Sequence, residues 1–317
     1  MPFSTRWLAV FAACVLAACG DKPKPTEPQA ALTPVAVSPD LWKEFSGEKA
    51  LAHVRTQVQF GPRPSGSSAL EKARLHILAT LTASGWETER QDFKETPVPG
   101  RGETPFVNII ARFPKPAAQR VIIGSHYDTK VMNGVRFLGA NDGGSSTGAL
   151  LELARVLATA PAFAAQFELV FFDGEEAVVS FGSAELGPDG LVGSRHYAKS
   201  IRDRAQQYKF ALVWDMIGDK DLTVTLPSDS PKNLAGALFT AADQLGLRRN
   251  FGYYGQQILD DHEPLARIAR IPAMDIIDFD YPAWHTSGDT LDKLSVESLE
   301  IVGRVTLKML ISELGLK

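Results

Sequence analysis

Apolar positions along this chain fall into two kinds of run. The first are short, nearly continuous and rich in β-branched and aromatic residues. They predict strands over 107–113, 121–125, 167–172, 210–215, 222–226 and 273–277. The second recur at helical spacing and predict helices over 69–84, 147–158, 231–245, 263–269 and 295–314. In 147–158, Leu150, Leu153, Val156 and Leu157 share one face, and Gly85 stands where a helix ending at 84 would turn left-handed. Strands that are apolar on both sides need cover on both faces. The alternation therefore predicts an α/β protein, a three-layer α/β/α sandwich around a mostly parallel, mixed central sheet. Ligands of such sheets bind beyond the carboxyl ends of the strands.

The amino-terminal run is of another kind. Arg6 precedes an apolar stretch from Trp7 to Ala18 that is too short to span a bilayer and suits the core of a signal peptide. Leu16-Ala17-Ala18-Cys19 resembles a lipobox, in which cleavage leaves Cys19 as a lipidated amino terminus. Cys14 fits that pattern less well, because Phe11 stands three residues before it. Five prolines and few large apolar residues between Gly20 and Pro39 read as an extended tether. The expected organisation is a lipoprotein signal peptide over 1–18, a Pro-rich tether over 19–40 and one catalytic domain over 41–317. The expected address is the bacterial envelope, facing the periplasm, with Gly20 favouring the outer membrane.

Composition changes this picture little. Of 317 residues, 44% are hydrophobic and 22% charged, enough for a sizeable core. The formal net charge of −4 provides no basic excess to neutralise phosphates, so a nucleic-acid partner is not expected. Only two cysteines occur, both in the amino-terminal segment. Processing at Cys19 would leave one, with neither a disulfide nor a free catalytic thiolate.

Acids and histidines cluster just after the predicted strands. His126 and Asp128 alternate, so in extended chain they point the same way. Asn141-Asp142-Gly143-Gly144 leads into the helix beginning near 147. Glu175-Glu176 follows the strand 167–172, Asp215 ends 210–215, and Asp260-Asp261-His262 and Trp284-His285-Thr286 come later. Taken singly, each has an ordinary explanation: an Asp before a helix is commonly an N-cap, and paired glutamates are commonly solvated. Together they would crowd carboxylates into one crevice, which is costly unless a cation or a proton compensates. Nitrogen and carboxylate donors without thiolate suit zinc in a catalytic site. In the Glu175-Glu176 pair, one side chain would coordinate and the other would move protons. His53, His76 and His196 lack such company and read as structural.

In order and spacing, His126-Tyr127-Asp128, Asn141-Asp142, Glu175-Glu176, Asp215 and His285 resemble the blocks of co-catalytic zinc aminopeptidases and of their relatives, the animal-type, zinc-dependent glutaminyl-peptide cyclotransferases. The resemblance runs from about Phe60-Gly61-Pro62-Arg63 to the last helix. Asp260-Asp261-His262-Glu263-Pro264-Leu265, Trp214-Asp215-Met216-Ile217-Gly218 and Trp284-His285-Thr286 look like the cyclase branch. There are departures. Phe181 stands about where the cyclases carry a pocket Trp, Asn141-Asp142-Gly143-Gly144 and Asp289-Thr290 look like the peptidases, and His126 and Asp215 retain the peptidases' second-metal positions.

The resemblance implies one zinc held by Asp142, Glu176 and His285. Glu175 would be the proton shuttle, Asp215 and Asp260 its hydrogen-bonded partners, and Trp284 and Phe181 the substrate-binding aromatics. His126 and Asp128 would be supporting or second-metal residues. The implied activity is conversion of amino-terminal Gln to pyroglutamate with release of ammonia. The alternatives are a two-zinc aminopeptidase and, further off, a non-catalytic peptide-binding lipoprotein. The implied partners are peptide or protein amino termini and, through Cys19, a membrane. A monomer is the simplest expectation.

Overall fold

Six strands form the central sheet: β1 (Glu87–Glu95), β2 (Thr104–Arg112), β3 (Arg120–His126), β4 (Phe167–Phe172), β5 (Tyr208–Asp215) and β8 (Ala273–Ile277). Their order is β1-β2-β4-β3-β5-β8. β4, β3, β5 and β8 run parallel, whereas β2 is antiparallel to both β4 and β1. The sheet is thus mixed with a parallel core, as expected. This computed structural model describes residues 36–98, 100, 102–179 and 189–315. The signal segment 1–18, Cys19, most of the tether and Phe181 lie outside the described residues.

The helices are α1 (Gly47–Gln59), α2 (Ser68–Ala83), α3 (Gly144–Ala158), the single turn α4 (Pro161–Ala164), α5 (Val192–Ile201), α6 (Lys232–Gln244), α7 (His262–Arg267) and α8 (Val296–Leu314). On one face of the sheet, Ile110, Ile122, Val170 and Val213 pack against Tyr197 and Ile201 of α5 and Leu265 of α7. On the other, α3 contacts β3, β4 and β5 and is itself covered by α1 and α8. Fully burying each such aliphatic side chain contributes about 1.5–3 kcal/mol. Gly148 lets α1 and α3 approach closely, because a Cβ there would lie 2.7 Å from the Ala50 carbonyl oxygen. Among the described residues, no helix is long and apolar enough to cross a membrane.

The buried strands match their apolar runs to within a few residues. The expected strand 222–226 shortens to β6 (Val224–Leu226), which leaves the main sheet and pairs with β7 (Phe251–Tyr253) in a separate two-stranded ribbon. β1, β7, α1, α4 and α5 are additions to the expected elements. β1 reads Glu-Thr-Glu-Arg-Gln-Asp-Phe-Lys-Glu; it is a sheet edge with no buried residue, so it carries no apolar signal.

Candidate active site

The carboxyl ends of the four parallel strands converge on one crevice. β3 ends at His126 and β5 at Asp215, while Glu175 and Glu176 follow β4 across Asp173-Gly174. Asp128 braces this junction, its Oδ1 accepting the Glu175 backbone N–H at 3.1 Å and its Oδ2 that of Glu176 at 3.3 Å. The loop before α3 is fixed from the far side. Asp289 accepts the backbone N–H groups of Asn141 (2.8 Å) and Asp142 (3.1 Å) and the Tyr281 hydroxyl (2.9 Å). Gly143 occupies the cap position at φ 72°, so the Asp142 side chain turns into the crevice. A Cβ at Gly143 would lie 2.8 Å from both the Asp128 carbonyl oxygen and His126 Cε1.

Two trios of donor atoms result, and in each the atoms lie within 4.8 Å of one another. In the first, His285 Nε2 is 3.4 Å from Asp142 Oδ2 and 3.2 Å from Glu176 Oε2. In the second, His126 Nε2 is 3.3 Å from Asp142 Oδ1 and 3.1 Å from Asp215 Oδ1. Asp142 is common to both, presenting one oxygen to each. Asp128 belongs to neither trio; its Oδ1 lies 3.5 Å from His126 Nδ1. His285 adopts φ 51°, a left-handed conformation that costs a non-glycine residue energy and that the surrounding packing must hold.

This donor set fits a divalent cation. Asp142 Oδ2 and Glu176 Oε1 are buried without a hydrogen-bond donor, and Asp142 and Glu176 share a trio of mixed nitrogen and oxygen atoms with His285. Burial, then Glu176 and Asp215, pushes the Asp142 carboxyl well above its usual range. Burial works in the same direction on Glu176, but His285, Lys130 and His126 outweigh it and hold that carboxyl ionised below the usual glutamate range. Lys130 Nζ reaches Glu176 Oε2 at 3.3 Å and the Ala177 carbonyl at 2.7 Å.

Glu175 stands apart from both trios. It is buried, and desolvation, then the charges of Glu176, Asp260 and Asp261, raise it well above the ordinary glutamate value despite His126. A carboxyl so raised, beside a cation site, suits proton transfer near neutral pH. It lines a pocket of about 160 Å³ with Asp260, Ile258, Phe279, Trp284 and His285. This is room for one side chain rather than for an extended ligand. The Trp284 ring stacks on His285 with centroids 4.2 Å apart and is 40% exposed at the pocket mouth.

The predicted residues Asp142, Glu175, Glu176, Asp215, Asp260, Trp284 and His285 therefore line one pocket, with His126 and Asp128 directly behind it. Sequence reasoning did not single out Lys130 or Asp275, and took Asp289 only as part of a motif. Asp275 did leave a signal, a carboxylate inside the otherwise apolar strand run Ala-Met-Asp-Ile-Ile. His53 and His76 bond to each other across α1 and α2 at 3.1 Å, and His196 stacks on Phe93, all remote from this pocket's lining.

The peptidase family M28 model matches residues 108–310. Over 310 aligned residues the chain is 26% identical to a glutaminyl-peptide cyclotransferase of Drosophila melanogaster, covering 88% of this chain and 86% of that protein. A solved glutaminyl cyclase from an Acidobacteriales bacterium is similar at TM-score 0.76 and 31% identity, over 93% of this chain and 99% of that one. A Zn-dependent exopeptidase from Parabacteroides distasonis is similar at TM-score 0.77 and 26% identity, over 84% and 98% of the two chains.

Proposed function

The chain belongs to peptidase family M28, and from that membership we propose that it is a glutaminyl-peptide cyclotransferase, converting amino-terminal Gln to pyroglutamate with release of ammonia. The observation that carries this reading is Glu175, a buried carboxyl of raised proton affinity that sits beside Asp260 in a pocket sized for one side chain and walled by Trp284. The likeness to glutaminyl-peptide cyclotransferases supports it.

Asp142, Glu176 and His285 would hold one zinc ion, which when bound supplies electrophilic polarisation of the glutaminyl γ-carbonyl. Trp284 and Phe279 pack the glutaminyl stem and keep water from the amide carbonyl carbon. Glu175 accepts a proton from the α-amine as its nitrogen forms a bond to the side-chain amide carbonyl carbon (Cδ). It returns that proton to the departing nitrogen as the amide C–N bond breaks, so ammonia leaves and no water is consumed. Because nucleophile and carbonyl belong to one residue, holding that residue folded supplies much of the rate advantage. Asp128 fixes the backbone from which Glu175 and Glu176 project.

The intact second trio of His126, Asp142 and Asp215 favours one rival, a two-zinc exopeptidase in which Glu175 activates water. Incubation with a Gln-initiated peptide separates the two: the proposal expects ammonia release without peptide-bond cleavage, and the rival expects a free amino acid. Glu175→Gln should lower turnover by at least about 10²-fold and keep the metal, whereas His285→Ala should lose the metal. Retained turnover in Glu175→Gln would remove the proposed shuttle.

We further propose that Cys19 tethers the chain to the bacterial envelope as a lipoprotein, on the strength of the apolar segment and lipobox that precede it. Cys19→Ser should move the protein from the membrane to the soluble fraction. Continued membrane association of that variant would rule the anchor out.

A further inference from the structure

Arg63 closes the Phe60-Gly61-Pro62-Arg63 motif, which the proposed chemistry does not use. Its side chain is fully buried, where a guanidinium is costly unless its donors are met. Among the described residues it donates no hydrogen bond to a carboxylate; its partners are backbone carbonyls. Nη1 reaches Leu138 at 2.9 Å and, more loosely, Gln57 and Gly61 at 3.4 Å, while Nη2 reaches Gly139 at 3.0 Å. Asp289, Asp128 and Asp142 act on it through charge. Its Nε–H finds no acceptor, so stability alone gives little reason to keep a buried charge here. Its backbone is paired as well: the N–H donates to Thr129 Oγ1 at 2.7 Å, and the carbonyl accepts the Thr129 N–H at 3.1 Å.

The two short bonds fall on the loop that carries Asp142. Among the described residues, Arg63 is the only donor to the Leu138 and Gly139 carbonyls. Three residues on from each, the N–H groups of Asn141 and Asp142 bond instead to the Asp289 carboxylate. A buried cation thus holds the oxygens of this loop and a buried anion holds its N–H groups. The turn between them is tight. Gly139 sits at φ 54°, and a Cβ there would lie 2.5 Å from Thr129 Cγ2 and 2.6 Å from the Asp142 carbonyl oxygen. Thr129, which follows Asp128 in sequence, is therefore pressed against the same turn.

We propose that Arg63 is a positioning residue, whose guanidinium fixes the loop 138–142 through its carbonyls and so sets where Asp142 meets both trios. A planar fork can serve two carbonyls at once, which a lysine ammonium, a point charge on a flexible stem, does less well. Asp289 completes the clamp from the N–H side. The inference rests on Asp142 holding a cation, as the cyclotransferase reading requires, and it applies equally to the exopeptidase rival.

The test compares the full-length parent with Arg63→Met, Arg63→Lys and a control, Leu238→Ala, which opens a cavity at a fully buried position of α6. Two quantities are read: the dissociation constant for zinc, by competition with a chromophoric chelator at pH 7, and amide hydrogen exchange of the metal-free protein. Arg63→Met keeps an unbranched apolar stem without donors. It should weaken zinc binding about tenfold or more and speed exchange at Asn141 and Asp142 about tenfold or more, with α6 and β8 unchanged. Arg63→Lys should fall between that variant and the parent. Leu238→Ala should melt earlier yet bind zinc within about twofold of the parent. Unchanged zinc affinity in a folded Arg63→Met, exchange that rises evenly over the whole molecule, or an equal loss of affinity in Leu238→Ala would each overturn the proposal. Should Arg63→Met not fold, Arg63→Lys decides, and zinc affinity and loop exchange equal to the parent's overturn it. If the parent itself takes up no zinc, the metal role of Asp142 fails, and the exchange pattern still decides whether Arg63 holds the loop.

Discussion

Asp128 acts through the backbone of its neighbours. Both of its oxygens are committed to the N–H groups of Glu175 and Glu176, the two residues whose relative placement decides which binds and which moves a proton. Asp128→Ala would leave two buried N–H groups unsatisfied, at about 1–3 kcal/mol each, and free both glutamates to drift. A shift of about 1 Å can cost about 10²-fold in rate. The expected outcome is a kcat reduced on that order, with a smaller change in KM and a lower melting temperature, measured by steady-state kinetics and thermal denaturation. Asp128→Asn keeps one acceptor and should fall between. A variant that melts early yet turns over normally would show that the brace serves stability alone.

At the scale of elements, the sequence carried the site further than the fold that surrounds it. Buried strands announce themselves as continuous apolar runs, and three of the chemical clusters were visible because they break such a run at or just beyond its carboxyl end. His126 does so after β3, Glu175-Glu176 after β4 and Asp215 in β5. β1 was not legible, because an edge strand exposed on both sides needs no apolar pattern. β7 is three residues long and depends for its pairing on β6, twenty-five residues away in sequence. α1 presents few large apolar residues, since Gly148 and Gly144 let it pack close to α3 with small contacts. Asp142 shows the limit of local reading. An acid preceding a helix is ordinarily its cap, and only the tertiary arrangement, with Gly143 at the cap and His126 and His285 on either side, gives its carboxylate a different use.

For the whole molecule, the site is a stored electrostatic load. An acid whose folded pKa lies above its unfolded value takes up protons on folding, so its contribution to stability is lost as pH rises through the folded pKa. Asp142 and Glu175 are both raised in this way by burial and by their acidic neighbours. A bound divalent cation offsets that load, and its removal exposes it. Chelation should therefore lower the melting temperature by about 5 °C or more near pH 8 and by distinctly less near pH 5.5, as scanning calorimetry can measure. Equal losses at both pH values would mean that the cation neutralises something other than these acids.

The double allegiance of Asp142 also bears on how many ions the crevice can take. Because one carboxylate serves two neighbouring trios, the same backbone offers a seat for one ion or for a pair, with Asp142 shared between the seats. Removing that carboxylate would therefore unseat both at once, whichever chemistry the crevice performs.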